Sequence, residues 1–73
     1  MAQNNWPEDY QYILKQLKQA RIDAELNQKQ VAQKLSKEQS YIGKIESGER
    51  RIDIVELKKL AALYKKPIAF FLK

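Results

Sequence analysis

"LNQKQVAQKLSKEQSYIGKIESGERR", Leu26 to Arg51, contains two short helix signals with almost nothing between them. Asn27 is a favoured N-cap residue, and Gln30 three positions on can return a hydrogen bond to it. A helix is therefore expected from Gln28 to about Leu35, with Val31, Ala32 and Leu35 facing inward. Ser36 with Gln39 repeats the device and predicts the next helix from about Lys37 or Glu38 to Ser47. Gly48 then supplies a left-handed stop. In this second helix Ile42 and Ile45 must face the core, with Tyr41 beside Ile45.

Helical periodicity extends outward on both sides, and no stretch alternates like a strand. Trp6-Pro7-Glu8-Asp9 opens a first helix, with proline in the first turn and two acids near the positive end of the dipole. Tyr10, Ile13, Leu14, Leu17 and Arg21 give it one inward stripe, fading around Asp23 to Glu25. Asp53 with Glu56 opens a further helix whose stripe is Ile54, Leu57, Leu60, Ala61 and Tyr64, closed by Lys65 and Lys66. Pro67 cannot continue that helix but can start a short last one, "PIAFFLK". The expected fold is all-α, with five helices in one domain over residues 6–73 and a flexible stretch at residues 1–5.

Composition narrows the chemistry. With 73 residues the chain is near the lower limit for one hydrophobic core, and its 44% hydrophobic content is sufficient for a small one. It has no cysteine and no histidine, so thiolate metal sites and imidazole-activated nucleophiles are excluded. The remaining carboxylates, lysines and tyrosines are scattered over helical faces, with no convergent pair and no nucleotide-binding glycine loop, which argues against an enzyme. No cofactor is implied. Fourteen Lys+Arg against nine Asp+Glu give +5, a balance that favours a polyanionic partner, nucleic acid above all. No apolar run reaches membrane-spanning length and the N-terminus lacks a secretory layout, so a cytoplasmic protein is expected.

Two short helices joined as closely as those within 28–47 must cross steeply, as in a helix-turn-helix. The face of the second opposite Ile42 and Ile45 is Gln39, Ser40, Gly43, Lys44 and Ser47. It carries amides, hydroxyls and one cation but no acid. Such a face suits base edges in the major groove, where glutamine pairs with adenine and lysine with guanine. The alternative is an ordinary solvated helix face.

The stretch resembles the helix-turn-helix signature of the phage repressor and Cro-like, xenobiotic-response-element family, over roughly Leu17 to Leu72. The resemblance rests on Asn27-Gln28, the Val31-Ala32 pair and the ending Ile42-x-x-Ile45-Glu46-x-Gly48. It implies a five-helix, lambda-repressor-like DNA-binding domain. Gln28 corresponds to a glutamine that contacts phosphate and buttresses the first base-reading side chain. Gln39, Ser40, Gly43 and Lys44 fall at base-facing positions, and Asn27, Arg50 and Arg51 at phosphates; Lys37, where the chain departs from the pattern, is expected at a phosphate as well. Glu46 matches a glutamate that pairs with an arginine of the first helix, here Arg21, which would explain an acid between Ile45 and Gly48. The other reading leaves Glu46 exposed.

The chain departs from the family pattern at four places. Ser36 stands where glycine is usual in the turn, and a left-handed serine there is strained. Lys37 replaces a small apolar residue, and Glu38 stands where Ser, Thr or Pro is common. Gly43 replaces a frequent serine. A mid-helix glycine costs about 1 kcal/mol against alanine. Either the helix lies too close to a groove for a side chain, or the site tolerates the loss.

Helix-end residues Ile68, Phe70, Phe71 and Leu72 are more apolar bulk than so short a segment can hide. Related small repressors pair through this end, which implies a homodimer and a roughly palindromic double-stranded operator. The alternative is that all four close the monomer core, with Trp6 packed near them. Two functions then compete: a sequence-specific transcriptional repressor, and a protein-interaction module such as an antitoxin that binds a toxin partner.

Overall fold

The structure, a computed structural model, describes residues 6–73, and the segment 1–5 expected to be flexible lies outside the described residues. Pro7 precedes the first helix rather than entering it, and α1 (Glu8–Asp23) begins with Glu8 and Asp9 at its positive end. Asn27 caps α2 (Gln28–Lys34) through the expected reciprocal pair. Its Oδ1 accepts from the Gln30 amide at 2.7 Å, while Gln30 Oε1 accepts from the Asn27 amide at 2.9 Å. The same box opens α4 (Ile54–Leu63): Asp53 accepts from the Glu56 amide at 2.7 Å and Glu56 from the Asp53 amide at 3.0 Å.

Between α2 and α4 the expectation needs correction. Ser36 does not cap a helix with Gln39. It sits at φ 57° as the left-handed residue that ends α2, and the Lys37 amide donates back to the Ala32 carbonyl at 2.8 Å. Lys37 to Gln39 are consequently spent on the turn, and α3 (Ser40–Glu46) starts two to three residues later than expected, without a side-chain cap. Gly48, at φ 86°, ends it as anticipated. Glu25 (φ 61°) and Lys65 (φ 60°) stop α1 and α4 in the same left-handed way. With only two glycines in the chain, three helix ends are closed by residues that bear the Cβ penalty, roughly 1–2 kcal/mol each.

The fifth helix is a four-residue 3-10 turn, Ile68–Phe71, behind Pro67. The described residues thus form four α-helices and one such turn, with no strand. Leu14, Leu17 and Ala20 of α1 meet Val31 and Ala32 of α2, Ile42 and Ile45 of α3, and Leu57, Leu60, Ala61 and Tyr64. Phe71 from the turn and Ile52 from the loop complete this core. Ile54 is not in the stripe: it is 63% exposed, and Ile52, ahead of the helix, takes the buried place. Among the described residues no helix is long and apolar enough to cross a membrane.

Candidate nucleic-acid interface

Burying Ile42 and Ile45 turns the other side of α3 outward. Ser40, Lys44 and Ser47 are exposed there, together with Gln39 at its start, while Gly43 is half-buried. Glu46, the only acid within Ser40–Glu46, is withdrawn from that face. Its carboxylate receives Arg21 Nε at 2.7 Å and Arg21 Nη2 at 3.1 Å, a two-pronged ion pair. Arg21 is 9% exposed and also donates to the Leu26 carbonyl at 3.0 Å, so the buried guanidinium has three partnered nitrogens. The hydrogen bond to Glu46 raises the Arg21 pKa against the opposing effect of burial. The expected Arg21–Glu46 pair is present, and the pair ties α1 to α3.

Gln28 belongs to this cluster. Its Nε2 donates to Glu46 Oε1 at 3.1 Å, so the side chain lies from α2 across α3. A Cβ at position 43 would stand 3.2 Å from Gln28 Oε1, 3.8 Å from its Cδ and 3.9 Å from Nε2. The glycine inside α3 therefore accommodates an intramolecular neighbour, a reason neither reading of the sequence had supplied. Asn27, also expected at a phosphate, has its side chain engaged in the α2 cap.

A second cluster joins α3 to α4. Tyr41 Oη donates to Glu56 Oε2 at 2.9 Å, and Arg50 meets the same carboxylate through Nη2 at 2.9 Å and Nη1 at 3.1 Å. The Arg50 guanidinium stacks 5.0 Å from the Tyr41 ring centre, and the Lys37 ammonium lies 5.2 Å from it. Burial alone would raise the Glu56 pKa. Hydrogen bonds from Arg50, the Asp53 amide and Tyr41 overcome it and pull the value down to about 2. Burial, helped by the hydrogen bond to Glu56, pushes the Tyr41 hydroxyl up to about 12. Arg50 is thus held within the chain. Lys37, Glu38, Ser40, Tyr41, Lys44 and Arg50 line a shallow hollow of about 220 Å³ beside α3.

The loop after α3 rests on aromatic groups that sequence reasoning placed elsewhere. Trp6 is tied to this loop: its Nε1 donates to the Gly48 carbonyl at 2.9 Å. Tyr10, 4.6 Å from Trp6 between ring centres, accepts the Ile52 amide on its hydroxyl at 2.9 Å. Arg51 stacks 5.0 Å from the Trp6 ring. The loop is anchored at both ends, with Arg50 and Arg51 between the anchors. The one available signal was the four-residue spacing of Trp6 and Tyr10, which puts two aromatics on one side of the chain where α1 begins.

At the C-terminus the four apolar candidates separate. Phe71 is 0% exposed and belongs to the monomer core, which removes it from any interface. Phe70 meets Phe71 edge-on at 5.2 Å and is half-buried, with the Lys66 ammonium 4.6 Å from its ring. Ile68 is half-buried, and Leu72 alone of the four is exposed.

Residues 17–71 match the family model described as Helix-turn-helix. No curated protein matches the chain. The match covers most of the sequence, and the chain belongs to the Cro-like, xenobiotic-response-element family of helix-turn-helix proteins. It is a DNA-binding regulator of that class, a family of regulatory domains and not of enzymes.

Proposed function

We propose that the protein is a sequence-specific repressor that lays α3 in the major groove and acts as a homodimer. One observation carries this reading: the single acid of α3 is turned inward onto Arg21, leaving Gln39, Ser40 and Lys44 exposed together, with Glu38 in the turn ahead of α3 the acid beside them. Gln39 suits adenine and Lys44 guanine, with Ser40 between them in reach of either. Gly43 lies at the same level, beneath the Gln28 amide. Lys37, Arg51, Asn27 and Gln28 flank the face as phosphate partners. Arg50 joins them by exchanging Glu56 for phosphate, since a guanidinium can take either anion in a two-pronged contact.

Dimerisation through exposed Leu72 with half-buried Ile68 and Phe70 would set two copies of α3 about 34 Å apart, one turn of DNA. The operator would then be roughly palindromic. Fluorescence anisotropy on a duplex selected from a random library tests the reading. Affinity should fall steeply with salt, as counterion release requires. Lys44→Ala should change which base is preferred, whereas Arg51→Ala should weaken all duplexes about equally. Binding that ignores both salt and Lys44 would count against it.

Ile54 and Val55, 63% and 56% exposed at the start of α4, favour a second reading in which a different protein, such as a toxin, docks there. Co-purification with a stoichiometric small protein would support that reading, and a self-associating chain free of partners would count against it.

A further inference from the structure

We infer that Gly43 is a positioning residue: its missing side chain is the seat of the Gln28 amide, and this seat sets how α2 and α3 together meet DNA. The inference rests on the DNA reading above but concerns a contact inside the chain. A glutamine amide in ordinary surroundings would swing aside from a new methyl group at little cost. Here it is tethered. Gln28 Nε2 is bonded to Glu46 Oε1, and Glu46 is itself fixed by two nitrogens of buried Arg21. Oε1 of the same amide lies 3.2 Å from the place a Cβ would occupy, closer than ordinary van der Waals contact. The three nearest atoms such a Cβ would meet all belong to Gln28.

Moving Oε1 away by the few tenths of an ångström a Cβ requires therefore strains the Nε2 bond to Glu46. The chain Arg21, Glu46, Gln28, Gly43 connects the core of α1 to the outer surface of α3. Position 43 is its last link. A side chain there would act on DNA through Gln28, changing which donor and acceptor α2 presents beside Gln39 and Lys44. Helix propensity pulls the other way, since alanine is favoured over glycine by about 1 kcal/mol, roughly fivefold in the folding equilibrium.

Gly43→Ala, Gln28→Ala and the double variant test this in one cycle. Three readings are taken: unfolding stability, the Gln28 side-chain amide resonances by NMR, and affinity for the duplex selected by the wild-type chain. Gly43→Ala should move the Gln28 amide resonances toward free-amide positions and weaken DNA binding on the order of tenfold. In the Gln28→Ala background the same substitution should stabilise the fold by about fivefold in its equilibrium constant and leave binding where Gln28→Ala put it. Unmoved Gln28 resonances would overturn the seat. So would equal loss of affinity in both backgrounds, because the glycine would then be facing the groove directly. Unchanged affinity for Gly43→Ala in the wild-type background would overturn its role in binding. If the wild-type chain selects no duplex, the DNA reading fails by itself, and the resonance and stability arms still decide the seat.

Discussion

Two glutamate–arginine clusters hold α3 on opposite sides, and they differ in depth. Arg21–Glu46 joins α3 to α1 with side chains 11% and 7% exposed; Arg50–Glu56 joins it to α4 with Arg50 43% exposed. Both are two-pronged, and both recruit a third polar group, Gln28 in one and Tyr41 in the other. In the inner cluster a lost partner strands a charge away from water. In the outer one Arg50 is open to water, and the Glu56 side chain, 16% exposed, keeps its bonds from Tyr41 and the Asp53 amide when Arg50 leaves. The inner cluster therefore fixes the helix, whereas the outer one is where the proposed exchange of Glu56 for a phosphate would take place. The same chemistry serves as a rivet at one side of α3 and a latch at the other.

Breaking the rivet should have the largest effect. Glu46→Ala leaves Arg21 buried without its counter-ion and should cost about 3–5 kcal/mol. A chain of this size is stable by only about 4–11 kcal/mol, so urea titration should find the variant at the edge of folding. A loss no larger than that of a surface substitution would erase the distinction between the clusters. Next in size is Gly48→Ala, in the loop that leads from α3 toward the latch. It forces a side chain into φ 86° and places its Cβ 3.0 Å from Trp6 Nε1. The conformational penalty alone is roughly 1–2 kcal/mol. Trp6 is the only tryptophan, so its fluorescence should shift as the hydrogen bond to the Gly48 carbonyl is displaced.

Ser36→Gly is the control that leaves both clusters intact. Relieving the left-handed serine should stabilise the fold by about 1 kcal/mol, with no change in either pair. Glu56→Gln removes the carboxylate that gathers Arg50, Tyr41 and the Asp53 amide, and should lower the melting temperature measurably near neutrality. Its signature is in pH. The Glu56 pKa lies at about 2 in the folded chain against an ordinary 4.5, so its contribution is fully present above the ordinary value. That contribution disappears as pH falls from about 5 toward 2, and Glu56→Gln should flatten this acid limb of the stability curve. Tyr41 has the opposite sign. Its pKa rises from 10.0 to about 12 on folding, so stability should decline as pH climbs through that interval. Tyr41→Phe should lessen the decline, leaving the part due to Tyr64, whose hydroxyl pKa burial also raises.

What could be read from the sequence was mainly what is local. Asn27 with Gln30 and Asp53 with Glu56 lie three residues apart, and a capping box needs nothing from the rest of the chain. The inward residues of α1, α2 and α3 followed from spacing in the same way. Ser36 misled because serine followed three residues later by glutamine satisfies the capping pattern equally well, while the left-handed turn depends on how α2 and α3 cross. Ile54 misled because periodicity could not tell that Ile52 would reach the core first. The Arg21–Glu46 pair came through family resemblance. Contacts between distant residues gave little signal: Trp6 meets Gly48 across 42 positions, and Tyr41, Arg50 and Glu56 converge only when α3, the loop and α4 are packed together. The seat of Gln28 over Gly43 was hidden for the same reason, although an unexplained glycine inside a helix had marked the place.

The most direct test is anisotropy of a library-selected duplex against the wild-type chain and the double variant Gln39→Ala/Lys44→Ala, with circular dichroism to confirm that both are folded. Two base-reading side chains lost from the outer face of α3 should weaken specific binding by about thirtyfold or more, roughly 1–3 kcal/mol for each, while binding to mixed-sequence DNA changes little. Equal affinity of the two proteins for the selected duplex would contradict the assignment of α3 as the helix that reads DNA.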